Sequence, residues 1–172
     1  MNTFRKTMTA AGLAGVALLA VVGTSAALGG DTGQKKGDVP WCTGSDLDVN
    51  AYDAHAPNDA SKLFRIAFTA KDGVNCKIGG TLSNVQFIDD AGQDIGADLT
   101  VPPPGEYVEL PVDADHEAAI YVSTQLHGPR LNPASIRFDL PGQGSLGDSV
   151  TVAWPSGLGA LVTVTDFMAP VS

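Results

Sequence analysis

From Trp41 onward the chain never runs ten residues at helical spacing without a Gly, Pro or Asx interruption, and its apolar residues alternate instead. A period of two places successive side chains on opposite faces of a strand, so each strand carries one apolar face that a second layer must cover. Phe64, Ile66 and Phe68 alternate with Arg65, Ala67 and Thr69. Val85 and Phe87 alternate with Asn84 and Gln86, and Ile120 and Val122 with Tyr121 and Ser123. Ile136, Phe138 and Leu140 alternate with Arg137 and Asp139, and Val150, Val152 and Trp154 with Thr151 and Ala153. Residues 161–165 close the chain with a β-rich run, and weaker strands are expected at 47–52, 94–100 and 107–112.

Turn chemistry separates these runs. Asp72-Gly73, Gly79-Gly80, Asp89-Asp90-Ala91-Gly92, Gly128-Pro129, Pro141-Gly142 and Pro155-Ser156-Gly157 are turn sequences, and Pro102-Pro103-Pro104 reads as a rigid connector. About eight or nine short strands with such spacing point to an all-β, antiparallel sandwich or barrel, of which a two-sheet sandwich is the expectation. The expected core is Leu47, Val49, Phe64, Ile66, Phe68, Val85, Phe87, Ile120, Val122, Ile136, Phe138, Val152 and Val164.

The first 27 residues stand apart. Arg5 and Lys6 precede an uncharged apolar stretch that ends in the small residues Gly23, Thr24, Ser25, Ala26 and Ala27. That order is the layout of a secretory signal peptide, with cleavage expected after Ala26 or Ala27; the competing reading is an uncleaved anchor. Residues 28–40 are Gly-rich and polar and read as a flexible linker, with the folded domain spanning 41–172 and starting near Val39-Pro40-Trp41. The chain has 10 Lys+Arg against 19 Asp+Glu, a net charge of -9. Loss of the signal removes two basic residues and no acid, which carries the charge to -11. Nucleic acid is excluded as a partner, because phosphate contacts need clustered Lys and Arg. With no further apolar stretch of spanning length, no membrane contact is expected after cleavage, and the expected state is a soluble monomer.

Cys42 and Cys76 are the only cysteines. In an exported chain such a pair reads as a disulfide. Closing a loop of this length contributes roughly 3–4 kcal/mol in a chain-entropy estimate. A redox or metal role lacks the CxxC spacing and a neighbouring histidine that it needs.

The residues that carry chemistry are sparse. His55, His116 and His127 fall in separate polar loops without metal-ligand spacing. Ser145 and Ser156 lack the Gly-x-Ser-x-Gly pattern of a nucleophile elbow and read as turn serines. The pairs Asp89/Asp90 and Asp113/Asp115 sit in turn sequences, and Ala91 and Gln93 occupy positions where a calcium loop needs oxygen ligands. No phosphate loop or dinucleotide fingerprint occurs, and no cofactor is expected. Trp41, Tyr107, Tyr121 and Trp154 are the candidate binding-face aromatics, because aromatic side chains are enriched among interface anchors.

Cys42 followed by Leu47-Asp48-Val49, the run ending in Ala70, Asn75-Cys76-Lys77-Ile78-Gly79-Gly80, and Phe87-Ile88-Asp89-Asp90-Ala91-Gly92 together resemble a secreted actinobacterial β-sandwich family, domain of unknown function 4232. The likeness covers roughly Trp41 to Val164, with Gly80-Thr81 where a Pro usually follows the Gly, and its second half departs more, with Pro111-Val112-Asp113-Ala114-Asp115 in place of the family's usual Pro-Gly element. The resemblance implies an immunoglobulin-like sandwich, an extracellular setting and a Cys42–Cys76 bridge. It implies no reaction.

The expected function is therefore a secreted, non-catalytic binding module for an extracellular protein or glycan. Two alternatives compete with it. One is a secreted hydrolase or metal-dependent enzyme whose site assembles from His55, His116, His127 and loop acids. The other is a structural spacer in the cell envelope.

Overall fold

The computed structural model describes residues 38–100, 103, 105–143 and 146–171. The expected signal peptide, the linker through Gly37, two of the three connector prolines (Pro102 and Pro104) and Ser145 lie outside these residues.

The described residues form twelve strands and no helix. They are β1 (Leu47–Ala54), β2 (Ser61–Ala70), β3 (Cys76–Gly79), β4 (Ser83–Ile88), β5 (Asp98–Thr100) and β6 (Glu109–Val112). The second half adds β7 (Ala118–Gln125), β8 (Arg130–Leu131), β9 (Ser135–Pro141), β10 (Leu146–Ala153), β11 (Leu158–Gly159) and β12 (Leu161–Val164). A five-stranded sheet has the order β1-β2-β7-β12-β5, and a three-stranded sheet has the order β10-β9-β4. Two-stranded ribbons, β3-β6 and β8-β11, complete the fold.

Register shows why alternation builds two layers. Val49 faces Phe68 and Ala51 faces Ile66 across β1 and β2, while Ile66 faces Ile120 and Phe64 faces Val122 across β2 and β7. Directly opposed residues share a face, so these apolar sets form one inner surface. Ile136 and Phe138 of β9 oppose Val152 and Val150 of β10 and supply the other. The layers meet through aromatic contacts. Phe68 lies 6.0 Å from Phe138, and Trp154 lies 4.5 Å from Phe64 and 4.9 Å from Phe87 between ring centroids. Phe64, Phe68, Phe87 and Phe138 are fully buried, each burial contributing about 1.5–3 kcal/mol. The arrangement is the expected all-β sandwich, compatible with an immunoglobulin-like fold.

Ten of the thirteen expected core residues are buried, and Val49, Val85 and Val164 pack half-buried against them. Beside Val164, Val162 is the fully buried residue of β12. All nine expected strand regions contain a strand. Among the described strands the pairing departs from the antiparallel expectation where β5 runs parallel to β12, and the isolated Trp41–Lys77 bridge is parallel as well. Alternation reports which face a residue takes, not the direction of the neighbouring strand. Strands β8 and β11 have two residues each, too few to show any period. In β3, the four residues run into Gly79-Gly80, which masks a strand behind a turn signal.

The disulfide is formed, with Cys42 and Cys76 both buried and their Cα atoms 5.0 Å apart. It ties the incoming chain to β3. Pro40 C=O accepts the Lys77 amide at 2.8 Å and the Cys42 amide donates to Lys77 C=O at 2.9 Å, so pairing begins at Pro40.

Candidate functional site

The β3-β6 ribbon positions the most prominent surface cluster. Cys76 and Ile78 of β3 point into the core, where they oppose Val112 and Leu110 of β6. Lys77, Gly79, Glu109 and Pro111 therefore turn outward. Trp41 pairs with Lys77 in a parallel bridge, held there because its neighbour Cys42 is bonded to Lys77's neighbour Cys76. The Lys77 ammonium lies 5.7 Å from the centre of the Trp41 ring, a cation–π contact. It also reaches Glu109 Oε2 and Asp38 Oδ1, each at 3.0 Å. Tyr107 donates its hydroxyl to Glu109 Oε1 at 3.3 Å. Trp41, Lys77, Glu109 and Tyr107 thus form one continuous strip.

The two carboxylates hold the Lys77 ammonium above its ordinary range, Glu109 first and Asp38 second. Partial desolvation, then the negative charge of Glu109, raises the Tyr107 phenol. Tyr107 is 61% exposed and Val108 47% exposed, with Val39 at 37% beside Trp41. Gly80, at φ 82°, passes beneath the Tyr107 ring, and a Cβ there would touch Tyr107 at 3.4 Å. The strip is an aromatic and aliphatic rim around one lysine shared by two carboxylates, Glu109 and Asp38.

The other two candidate aromatics are elsewhere. Trp154 is buried between Phe64 and Phe87, in the core, and presents no binding face. Its indole N–H finds no partner, so its place there rests on packing. Tyr121 is 7% exposed on the outer face of the five-stranded sheet, and its hydroxyl accepts the Val171 amide at 3.0 Å.

The histidines do not converge. His55 follows β1 and His127 follows β7, at the sheet end where Ser61 opposes Gln125. His116 precedes β7, at the end where Ala118 opposes Phe68. Strand β7 has eight residues, which separate the two ends by roughly 25 Å. All three side chains are exposed. His116 Nδ1 pairs with Asp113 Oδ1 at 2.8 Å. Asp113 also accepts the amides of Asp115 and His116, so this acid organises its own turn. Those bonds, the Asp115 amide first, hold its carboxyl below the usual range. Asp89 Oδ1 likewise accepts the amides of Ala91 and Gln93. Among the described residues no group of three or more His, Cys, Asp or Glu is arranged to hold a metal ion.

One polar cluster escapes sequence reading. Ser156 donates to Asp53 Oδ1 at 2.7 Å and accepts from the Lys62 ammonium, which itself pairs with Asp53 Oδ1 at 3.0 Å. A serine nucleophile needs a neighbouring base with a lone pair to take its proton. Here the lysine donates, and the hydroxyl proton is spent on a carboxylate that is held below its usual range by Ser156 first and Lys62 second. The triangle fastens the turn after β10 to the β1-β2 hairpin, across about a hundred residues of sequence that no local pattern spans. Lys77 and Glu109 were likewise missed. The signal for Lys77 was available: once Cys42 bonds Cys76, the residues beside them are neighbours.

Compared with known proteins, the chain matches no family model, no curated protein and no solved structure.

Proposed function

We propose that this protein is a secreted, non-catalytic binding module of the β-sandwich family its sequence resembles, and that it docks a protein partner on the Trp41–Tyr107 strip. The observation that carries this reading is the strip itself, in which exposed Tyr107 and Val108 flank Lys77 held between Glu109 and Asp38. Interface anchors are enriched in large aromatic side chains such as Trp and Tyr. The buried disulfide supports an extracellular setting, where such bonds persist. The absence, among the described residues, of a helix long and apolar enough to cross a membrane agrees with a chain that is free of the bilayer once processed. His116 stands about a strand length from the sheet end that carries His55 and His127, which speaks against a hydrolase or metal site assembled from all three.

The test is affinity capture from culture medium and cell-surface extract with wild type, Trp41→Ala, Tyr107→Ala and the distant control Thr151→Ala. A protein retained by wild type and the control, and lost with both aromatic variants, is the expected result. Retention of glycan instead, abolished by the same two variants, keeps the surface and replaces the partner class. Retention of nothing, with the domain fixed in the envelope, favours the spacer reading.

A further inference from the structure

At its Tyr107 end the strip borders a cavity. Three segments enclose it: the turn leaving β3, the approach to β6 and the residues after β12. Gly80, Tyr107, Val108 and Phe167 wall a volume of about 150 Å³. Small-molecule sites begin at roughly 300 Å³, whereas a cavity of this size takes a group of about benzene's bulk. It suits one side chain of a docked partner.

Backbone contacts fix its walls. The Phe167 amide donates to Gly80 C=O at 2.9 Å, and the Phe167 ring packs edge-on against Phe68 with centroids 4.8 Å apart. Gly79 lets β6 approach, because a Cβ there would collide with Val108 C=O. A Cβ on Gly80 would meet the Tyr107 ring, so its absence keeps that ring accessible. Two acids, Glu106 and Asp166, also line the cavity. Asp166 Oδ2 accepts the Gly105 amide at 3.4 Å, which sets the carboxylate on that side. Among the described residues neither acid forms an ion pair; the cations engage Asp38, Asp53, Glu109, Asp113 and Glu117 instead. Beside Tyr107 the strip already holds one cation: Lys77 rests against the Trp41 ring and pairs with two carboxylates. The cavity presents the same elements, an aromatic ring and two carboxylates, in a protein of net charge -9.

We propose that this cavity takes one basic side chain, lysine or arginine, from the protein docked on the strip, its stem against Tyr107, Val108 and Phe167 and its charged end at Asp166 and Glu106. Charge complementarity selects a basic side chain. Its aliphatic stem covers apolar walls while its head stays at the water boundary, and the Tyr107 ring attracts the cation. The inference rests on the strip as the partner-binding face and adds the chemistry of the partner.

The test titrates the folded chain with the Nα-acetyl amides of lysine, arginine and neutral norleucine, and follows the backbone amide resonances of Gly80, Gly105 and Val108 by NMR. Saturable shifts with a basic probe, and about tenfold weaker binding of norleucine, are expected. Response to lysine alone or to arginine alone names the side chain. Glu106→Gln combined with Asp166→Asn keeps an acceptor for the Gly105 amide and removes both charges. It should weaken the basic probe about tenfold and leave norleucine unchanged. Norleucine binding equal to that of the basic probes, no saturable shift with either of them, or a double variant that binds them as wild type does overturns the proposal. The probes need no captured partner. Their failure with capture by Trp41 and Tyr107 intact therefore overturns the side chain and not the strip, and capture that fails while the probes bind does the reverse.

Discussion

Thr124 is the one buried polar residue among those described, and it shows how a single hydroxyl holds two strands in register. It accepts the Gly159 amide at 2.9 Å and donates to Leu161 C=O at 2.8 Å. Thr124→Val keeps the shape but leaves a buried N–H and C=O unmatched, so it is expected to cost about 1–3 kcal/mol in urea unfolding. Gly159 can be nothing else, because a Cβ there would lie 2.2 Å from Gln125 C=O. Neither role is legible in the sequence: Thr124 continues the Ile120–Val122 row, but the partners of its hydroxyl lie on the returning strand, and Gly159 belongs to none of the turn sequences. Asp113 sits in a turn as its sequence suggests and binds that turn's own amides, whereas the partners of Asp46 and Asp53 are not readable from the sequence. Each of the three carboxyls is held below its usual range, Asp53 by Ser156, Asp46 by Thr43 and Asp113 by the Asp115 amide. Such groups stabilise the fold above the ordinary Asp value of about 4, and the stabilisation is lost as pH falls through their lower folded values. The thermal midpoint should therefore be flat near neutrality and fall below about pH 4. Asp53→Asn should lower it at pH 7 and shrink its acid dependence, as followed by circular dichroism.

Among the elements, legibility followed strand length. Strands β2, β7 and β9 have ten, eight and seven residues, and their alternation alone gives the inner faces. The β3-β6 ribbon has only four residues on each side, and what defines it is a covalent bond rather than a period. Cys42 and Cys76 were readable as a pair, but the consequence was not, because it depends on where β6 returns. The bridge places Trp41 on the ribbon's flank and anchors the pairing of Pro40 and Cys42 with Lys77. A Cys42→Ala/Cys76→Ala variant should lose roughly 3–4 kcal/mol. It should also release residues 38–42 at temperatures where the five-stranded sheet persists. Proteolysis within that segment, with β2 and β7 still protected, checks the expectation. Simultaneous loss of both would mean that the bridge holds the whole sandwich and not its flank.

Taken as a whole, the molecule divides its labour between a dry aromatic interior and two outer surfaces of different character. One is the ribbon strip, aromatic at its rim with Lys77 shared by Glu109 and Asp38. The other is the outer face of the five-stranded sheet, where Arg65 reaches over Ala67 and Ala119 to Glu117. The interior was legible because burial follows alternation; the surfaces were not, because they are assembled from β1, β2 and β7 in one case and from Trp41, β3 and β6 in the other. The strip as the partner-binding face is the central claim, and amide hydrogen exchange with and without the captured partner tests it most directly. Slowed exchange confined to residues 39–42, 76–80 and 107–111, with the outer face of β1 and β2 unchanged, is the expected footprint. Protection on the five-stranded sheet with none on the ribbon would contradict it.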